Sequence, residues 1–212
     1  MGNDTNAVVL GSEDRRAVAD ALRIATRTKD RPALRSVIVA DGLAMVTDTY
    51  VAVRVPALGQ LPAGAWDADA LAAATKGAGS EGVRIAADGP DALRVDRFAI
   101  TVRGRTSAAL AIDYGDGVPV GLVAGTFRVP AVDGAPNVAT IYRQAVEAVT
   151  ADTYVPELVG FAADRITDVL AARPHARERG AGRPVRILPN GYRAAVVTEG
   201  GEPFAVVMPM RD

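Results

Sequence analysis

The side chains able to carry out catalysis are few and poorly arranged for it. The single histidine, His175, stands beside Pro174 in a basic stretch, with no serine–aspartate pattern for a triad and no second imidazole to share a metal ion. Asp67/Asp69 and Asp164/Asp168 are paired carboxylates that could act as acid and base. Their spacing sets them on helix surfaces, where a carboxylate lacks the burial that tunes it for proton transfer. Gly77-Ala78-Gly79-Ser80-Glu81-Gly82 fits the dinucleotide fingerprint letter for letter. It follows a helix and precedes a strand, however, the reverse of what a pyrophosphate cradle requires. Without cysteine there is no thiolate nucleophile, thiolate metal site or disulfide framework. No catalytic activity, metal or cofactor is expected.

Recognition chemistry is left. The terminal residues Val206-Val207-Met208-Pro209-Met210-Arg211 close a strand, because Pro209 has no N–H for a ladder. Two flexible, polarizable thioethers flank that proline, a combination able to mould itself to several apolar partners.

A chain of 212 residues can bury a sizeable core in one large or two small domains. Its net charge of −1 supplies no global basic field, which argues against a tight, sequence-reading DNA binder and leaves room only for a local basic lining. No apolar run approaches membrane-spanning length and the N-terminus lacks a signal-peptide pattern, so a cytoplasmic protein with no membrane partner is expected.

The elements that must position these residues follow from periodicity. A short strand Ala7–Leu10 leads into a helix from Glu13 to Arg27, with Ser12 as its expected cap. Val18, Ala21, Leu22 and Ala25 form its apolar face; Arg16, Asp20, Arg23 and Arg27 form the opposite one, which Lys29 and Arg31 extend. Strands Leu34–Ala40, Leu43–Thr47 and Tyr50–Val55 come next, with Asp41-Gly42 turning the first hairpin. This β-α-β-β-β unit recurs with a helix at Trp66–Lys76 and strands at Val83–Ala86, Leu93–Asp96 and Phe98–Val102. It recurs again with a helix at Ala162–Arg173, inward residues Ile166, Val169 and Leu170, and strands at Val185–Leu188, Tyr192–Thr198 and Phe204–Val207. Between them an abbreviated repeat has a helix at Val138–Val149 and one strand, Thr153–Val159. Two further stretches are irregular: a Gly-rich insertion at 103–135, with a strand pair at Ala108–Ile112 and Leu122–Val129, and a basic loop at 173–183.

Val207-Met208-Pro209-Met210-Arg211 resembles the C-terminal ending of bacterial DNA polymerase III β subunits, the sliding clamps. Three further segments resemble that family in the right order. Lys29–Val37 is similar to the entry into its middle domain's sheet, and Val46–Val53 to its Ala-Thr-Asp-Gly-His-Arg-Leu-Ala strand pair. Val132-Asp133-Gly134-Ala135-Pro136-Asn137 is similar to the Val-Asp-Gly-x-Phe-Pro-Asp segment closing that domain. Thr49 stands where the family has Gly, Tyr50 where it has His, and Ala52 where it has Leu, so the groove floor is reshaped.

The resemblance implies an α+β DNA-clamp fold built from repeated β-α-β-β-β units, with sheets outside and helices lining a ring interior. Residues 1–135 would correspond to the middle domain and 136–212 to a shortened C-terminal domain, with the first domain missing. It implies a processivity factor, not an enzyme, that tethers a DNA polymerase to its template, with phage or mobile-element replication as the expected setting. A groove for polymerase and clamp-loader peptides would fall on Leu34, Thr47, Thr49, Tyr50, Ala52, Pro136, Ile141, Val206, Met208, Pro209, Met210 and Arg211. Double-stranded DNA would be held topologically and without sequence preference, with Arg16, Arg23, Arg27 and Lys29 facing it. Closure would be head-to-tail, as a homotrimeric ring. The alternative is a monomeric mimic that captures clamp-seeking peptides and encircles nothing.

Overall fold

The computed structural model describes residues 7–27, 31–76, 82–99, 122–151, 161–172, 183–190 and 193–209. The first unit runs β1 (Val8–Leu10), α1 (Ser12–Thr26), β2 (Ser36–Ala40), β3 (Leu43–Thr47) and β4 (Val51–Arg54). The second runs β5 (Gly64–Asp67), α2 (Ala68–Thr75), β6 (Gly82–Ala87), β7 (Ala92–Ala99) and β8 (Leu122–Pro130). Then come α3 (Val138–Ala151), α4 (Ala163–Ala171), β9 (Val185–Asn190), β10 (Arg193–Glu199) and β11 (Glu202–Val207).

The first two units exchange their leading strands. β1 pairs with β6, giving a sheet of order β1-β6-β7-β8, and β5 pairs with β2. The second sheet, in the order β5-β2-β3-β4-β11-β10-β9, runs without a break from the first unit into the last hairpins. Its joint is an antiparallel pairing of β4 with β11, in which Val51, Ala52 and Val53 face Val207, Val206 and Ala205.

Alternation along these strands divides the sheet into two buried faces. Val37, Val39, Val46, Val51, Val53, Ala205 and Val207 join one core with α1, α2 and α4. Ile38, Met45, Ala52, Val196 and Val206 point the other way and are covered by α3 through Val138, Tyr142 and Ala145. α3 thus packs on the sheet face opposite α1, α2 and α4.

Local chemistry explains the boundaries. Asp41 and Gly42 both take positive φ, 50° and 74°, as a tight hairpin turn of this kind requires. Asp67 ends β5 and caps α2, accepting a 2.7 Å bond from the Ala70 N–H, so the helix starts two residues after the expected Trp66. At α1 the cap position belongs to Gly11 and not to Ser12, which is already the first helical residue. Pro32–Leu34 forms a single 3₁₀ turn, which delays β2 to Ser36. On α4, Ile166 and Val169 face the core as expected, whereas Leu170 is exposed and Ala172, just past the helix, is buried in its place. Asp20, expected on the open face of α1, is buried.

The expected strands Ala108–Ile112 and Thr153–Val159, His175, most of the basic loop, Gly77–Glu81, Lys29, Met210 and Arg211 lie outside the described residues.

Candidate functional site

The β3–β4 connection is a side-chain-built turn. Thr47 Oγ1 donates to the Val51 carbonyl at 2.8 Å and receives the Thr49 N–H at 3.2 Å. Asp48 Oδ1 accepts the N–H groups of Tyr50 and Val51, both at 3.0 Å, which fixes the chain as it re-enters the sheet. Thr49 sits at the apex with φ of 85°, a left-handed conformation that favours glycine.

The strand ladder brings the chain's last segment to this turn. Beyond the Val207–Val51 pair, the Met208 N–H donates to the Tyr50 carbonyl at 2.8 Å. Pro209 then ends the ladder, leaving the Met208 side chain and the Tyr50 ring at the surface, 38% and 58% exposed. The third wall is the first turn of α4. Arg165 reaches the buried Asp48 Oδ2 through Nη1, lies over the Tyr50 ring at 5.2 Å from its centroid, and has the exposed Asp164 carboxylate 3.7 Å from Nε. A cleft of about 660 Å³ opens between these walls, lined by Thr49, Tyr50, Ala162, Asp164, Arg165, Met208 and Pro209. It can take up a few apolar side chains against thioether, ring and pyrrolidine surfaces, with polar groups on one rim.

The structure thus brings together Thr49, Tyr50, Met208 and Pro209 from the expected groove. Thr47 is buried beneath them as the turn's support. Ala52 and Val206 are buried under α3, and Leu34 is buried but belongs to neither packed cluster. Pro136 is half-buried just before α3, and Ile141 projects from that helix, 54% exposed and off the cleft's lining. Ala162, Asp164 and Arg165 are cleft residues that the sequence did not single out for this role. The Asp164/Asp168 pair is split: Asp164 edges the cleft and Asp168 receives Arg27 of α1. Asp67 and Asp69 are likewise separated, one capping α2 and the other pairing with Arg35.

Of the basic residues expected to face DNA, Arg16 is exposed, Arg23 is exposed but pairs with Asp20 at 3.1 Å, and Arg27 is tied to Asp168. Positive charge gathers where Arg15 lies close to Arg16 and Arg97. Burial, and then those two neighbours, lower the pKa of its guanidinium from the usual value. Among the described residues no group of three His, Cys, Asp or Glu side chains could hold a metal ion, and no helix is long and apolar enough to cross a membrane.

No family model matches the chain, and no curated protein matches its sequence. Solved structures do. The DNA polymerase sliding clamp of Bacillus subtilis superposes with a TM-score of 0.52 at 11% identity, over 97% of this chain and 64% of the clamp. The DNA polymerase III β subunit of Thermotoga maritima gives 0.51 at 10%, over 97% of this chain and 65% of that one. The β subunit of Borrelia burgdorferi, solved with a natural product, gives 0.51 at 9%, over 100% and 66%. The fold is that of a DNA sliding clamp. More narrowly, it is the fold of bacterial DNA polymerase III β subunits, and the chain spans less than two thirds of each neighbour's length.

Proposed function

We propose that this chain works as a sliding clamp, tethering a DNA polymerase to its template and receiving short partner peptides in the cleft at the β4–β11 joint. One observation carries the reading. Within a clamp fold, an exposed methionine and a proline from the last strand stand beside an exposed tyrosine on a neighbouring turn, around a space of peptide side-chain size. The thioether and proline wall tolerates varied apolar anchors, and micromolar affinity suits partners that must exchange. In this reading residues 1–135 and 136–212 are the two clamp domains, the work is done in the cytoplasm, and no reaction is catalysed.

Ring closure needs open sheet edges. Among the described residues no strand runs along the outer edges of β8 and β9, and only the Trp66–Ala131 bridge touches the end of the first; these strands end the two sheets and would meet head-to-tail in a homotrimer. Double-stranded DNA would pass through the ring, retained by topology, with Arg16 and its basic neighbours making weak phosphate contacts.

A mimic that binds clamp-seeking peptides without encircling DNA is favoured by a different observation. Arg23 and Arg27 are ion-paired to Asp20 and Asp168, which mutes the α1 surface that should face phosphate. The two readings part on circular DNA. A clamp stays on a nicked circle after loading and is lost on linearisation; a mimic is not retained on either. Fluorescence anisotropy with a labelled peptide carrying leucine and phenylalanine anchors tests what the readings share: binding to the wild type that fails with Met208→Ala supports the dock. Equal binding by both proteins rules it out.

A further inference from the structure

We infer that the cleft selects partner peptides that carry a lysine or arginine beside their apolar anchors, a refinement that rests on the peptide dock proposed above. The reason lies in the charge of its walls. Thr49, Tyr50, Ala162, Met208 and Pro209 bring no charge, so the sign of the cleft is set by Asp164 and Arg165 on the first turn of α4. One guanidinium there serves two carboxylates. Arg165 bonds the buried Asp48 Oδ2 through Nη1 and meets the Asp164 carboxylate at 3.7 Å from Nε. The Tyr50 ring covers it on a further side, with its centroid 5.2 Å away.

Two carboxylates and one guanidinium leave a net charge of −1, and burial decides which of the three a partner meets. Asp48 is 4% exposed and holds Arg165 from within the protein, whereas Asp164 stands 69% exposed on the rim. Among the described residues no cation other than Arg165 pairs with Asp164. The start of α4 opposes this sign, because a helix N-terminus carries about half a positive charge. That fraction lessens a full carboxylate charge without cancelling it. Met210, Arg211 and Asp212, which follow Pro209 in sequence, add one cation and one anion and leave the formal balance unchanged.

A peptide docked by its apolar anchors against Tyr50, Met208 and Pro209 runs past this rim. A lysine or arginine next to an anchor reaches the Asp164 carboxylate and forms an exposed ion pair of modest strength. A glutamate or aspartate at the same place meets a like charge, and the nearest cation, Arg165, is already held by Asp48. The anchors therefore supply most of the affinity, and Asp164 sorts among the peptides that have them. The partner this cleft fits is a basic apolar segment.

The test uses the full chain and three end-capped peptides with the same leucine and phenylalanine anchors and the same fluorescent label, flanked by lysine, serine or glutamate. At low salt the wild type should prefer the lysine peptide to the glutamate peptide by about fivefold, with the serine peptide between them. The ratio should fall towards one in Asp164→Asn and invert in Asp164→Lys. Raising salt from about 0.01 M to about 1 M should erase it in the wild type, as the screening length shrinks from about 30 Å to about 3 Å. Equal affinities for the three peptides, or a preference for glutamate, overturn the charge selection and leave the cleft standing. So does a lysine preference that Asp164→Asn leaves intact, because the selecting charge would then lie elsewhere. If none of the three peptides binds the wild type, the dock itself fails, and the selection with it.

Discussion

Arg165 of α4 and Asp48 of the β3–β4 turn, 117 residues apart, meet as an ion pair in which the carboxylate is only 4% exposed. Asp48 is doubly committed: one oxygen holds the Tyr50 and Val51 N–H groups and the other holds Arg165. The pair therefore fastens the turn that presents Tyr50 to the helix that forms the cleft's far wall. A buried charge with its hydrogen bonds satisfied is tolerated; the same charge left alone is not.

Removing one partner should show this asymmetry. Arg165→Ala leaves Asp48 buried and unpaired, and we expect it to cost about 3 kcal/mol, lowering Tm by about 6–12 °C. Arg165→Ala combined with Asp48→Asn should recover part of the loss, because Asn keeps an acceptor for the two N–H groups without the charge. Thermal denaturation followed by circular dichroism separates the two cases; equal losses would mean that the charge is not what matters.

Thr49 should be the easiest position to improve. Its φ of 85° holds a β-branched residue in a left-handed conformation that costs a few kcal/mol at most, partly offset by the entropy that glycine would lose on folding. Thr49→Gly is expected to stabilise by about 1 kcal/mol and raise Tm by about 2–4 °C. A lower Tm would show that the Thr49 hydroxyl, bonded to the Asp48 carbonyl, outweighs the backbone strain.

The seating of α3 should weaken in alkali. Burial first of all pushes the Tyr142 phenol up to about 12, above its ordinary value of 10.0. The folded state thus holds that proton more tightly than the unfolded chain. Its contribution is full below about pH 10 and is lost as pH rises towards about 12. Urea melts across that range should lose stability in the wild type and lose less in Tyr142→Phe. Parallel losses would remove Tyr142 as the cause.

Among the α1 cations, Arg16 and Arg27 should separate cleanly. Arg16→Ala is expected to reduce the slope of log affinity for DNA against log salt by about one unit, as loss of a phosphate contact does. Arg27→Ala should leave that slope unchanged and instead loosen α1 from α4, by about 1 kcal/mol or less because the pair is half-exposed. Salt titrations of DNA binding with the two variants decide between these roles.

Much of this fold is legible in local sequence, and the gaps have physical causes. Asp41-Gly42 and the alternating Val51-Ala52-Val53 announce a turn and a strand because both depend on nearest neighbours. The exchange of β1 and β5 between sheets depends on partners far along the chain, which periodicity does not encode. Thr49 and Tyr50 could be singled out from the clamp resemblance, and the left-handed turn explains why glycine is usual at the first of them. Arg165 could not be: on its helix it reads as one more surface charge, and its partner is set only by the tertiary fold. The covering of Ala52 and Val206 was equally hidden, since an amphipathic helix such as α3 does not say which face of a sheet it will choose.

The most direct test of the peptide dock is methyl NMR on the methionines, of which the chain has four. Met208 stands exposed at the cleft and Met45 is fully buried in the α3-covered core, so each chain carries its own reporter and control. Titration with a short peptide carrying leucine and phenylalanine anchors should move the Met208 methyl resonance in a saturable manner while Met45 stays in place. A Met208 resonance that does not respond, at peptide concentrations well above micromolar, would contradict the account.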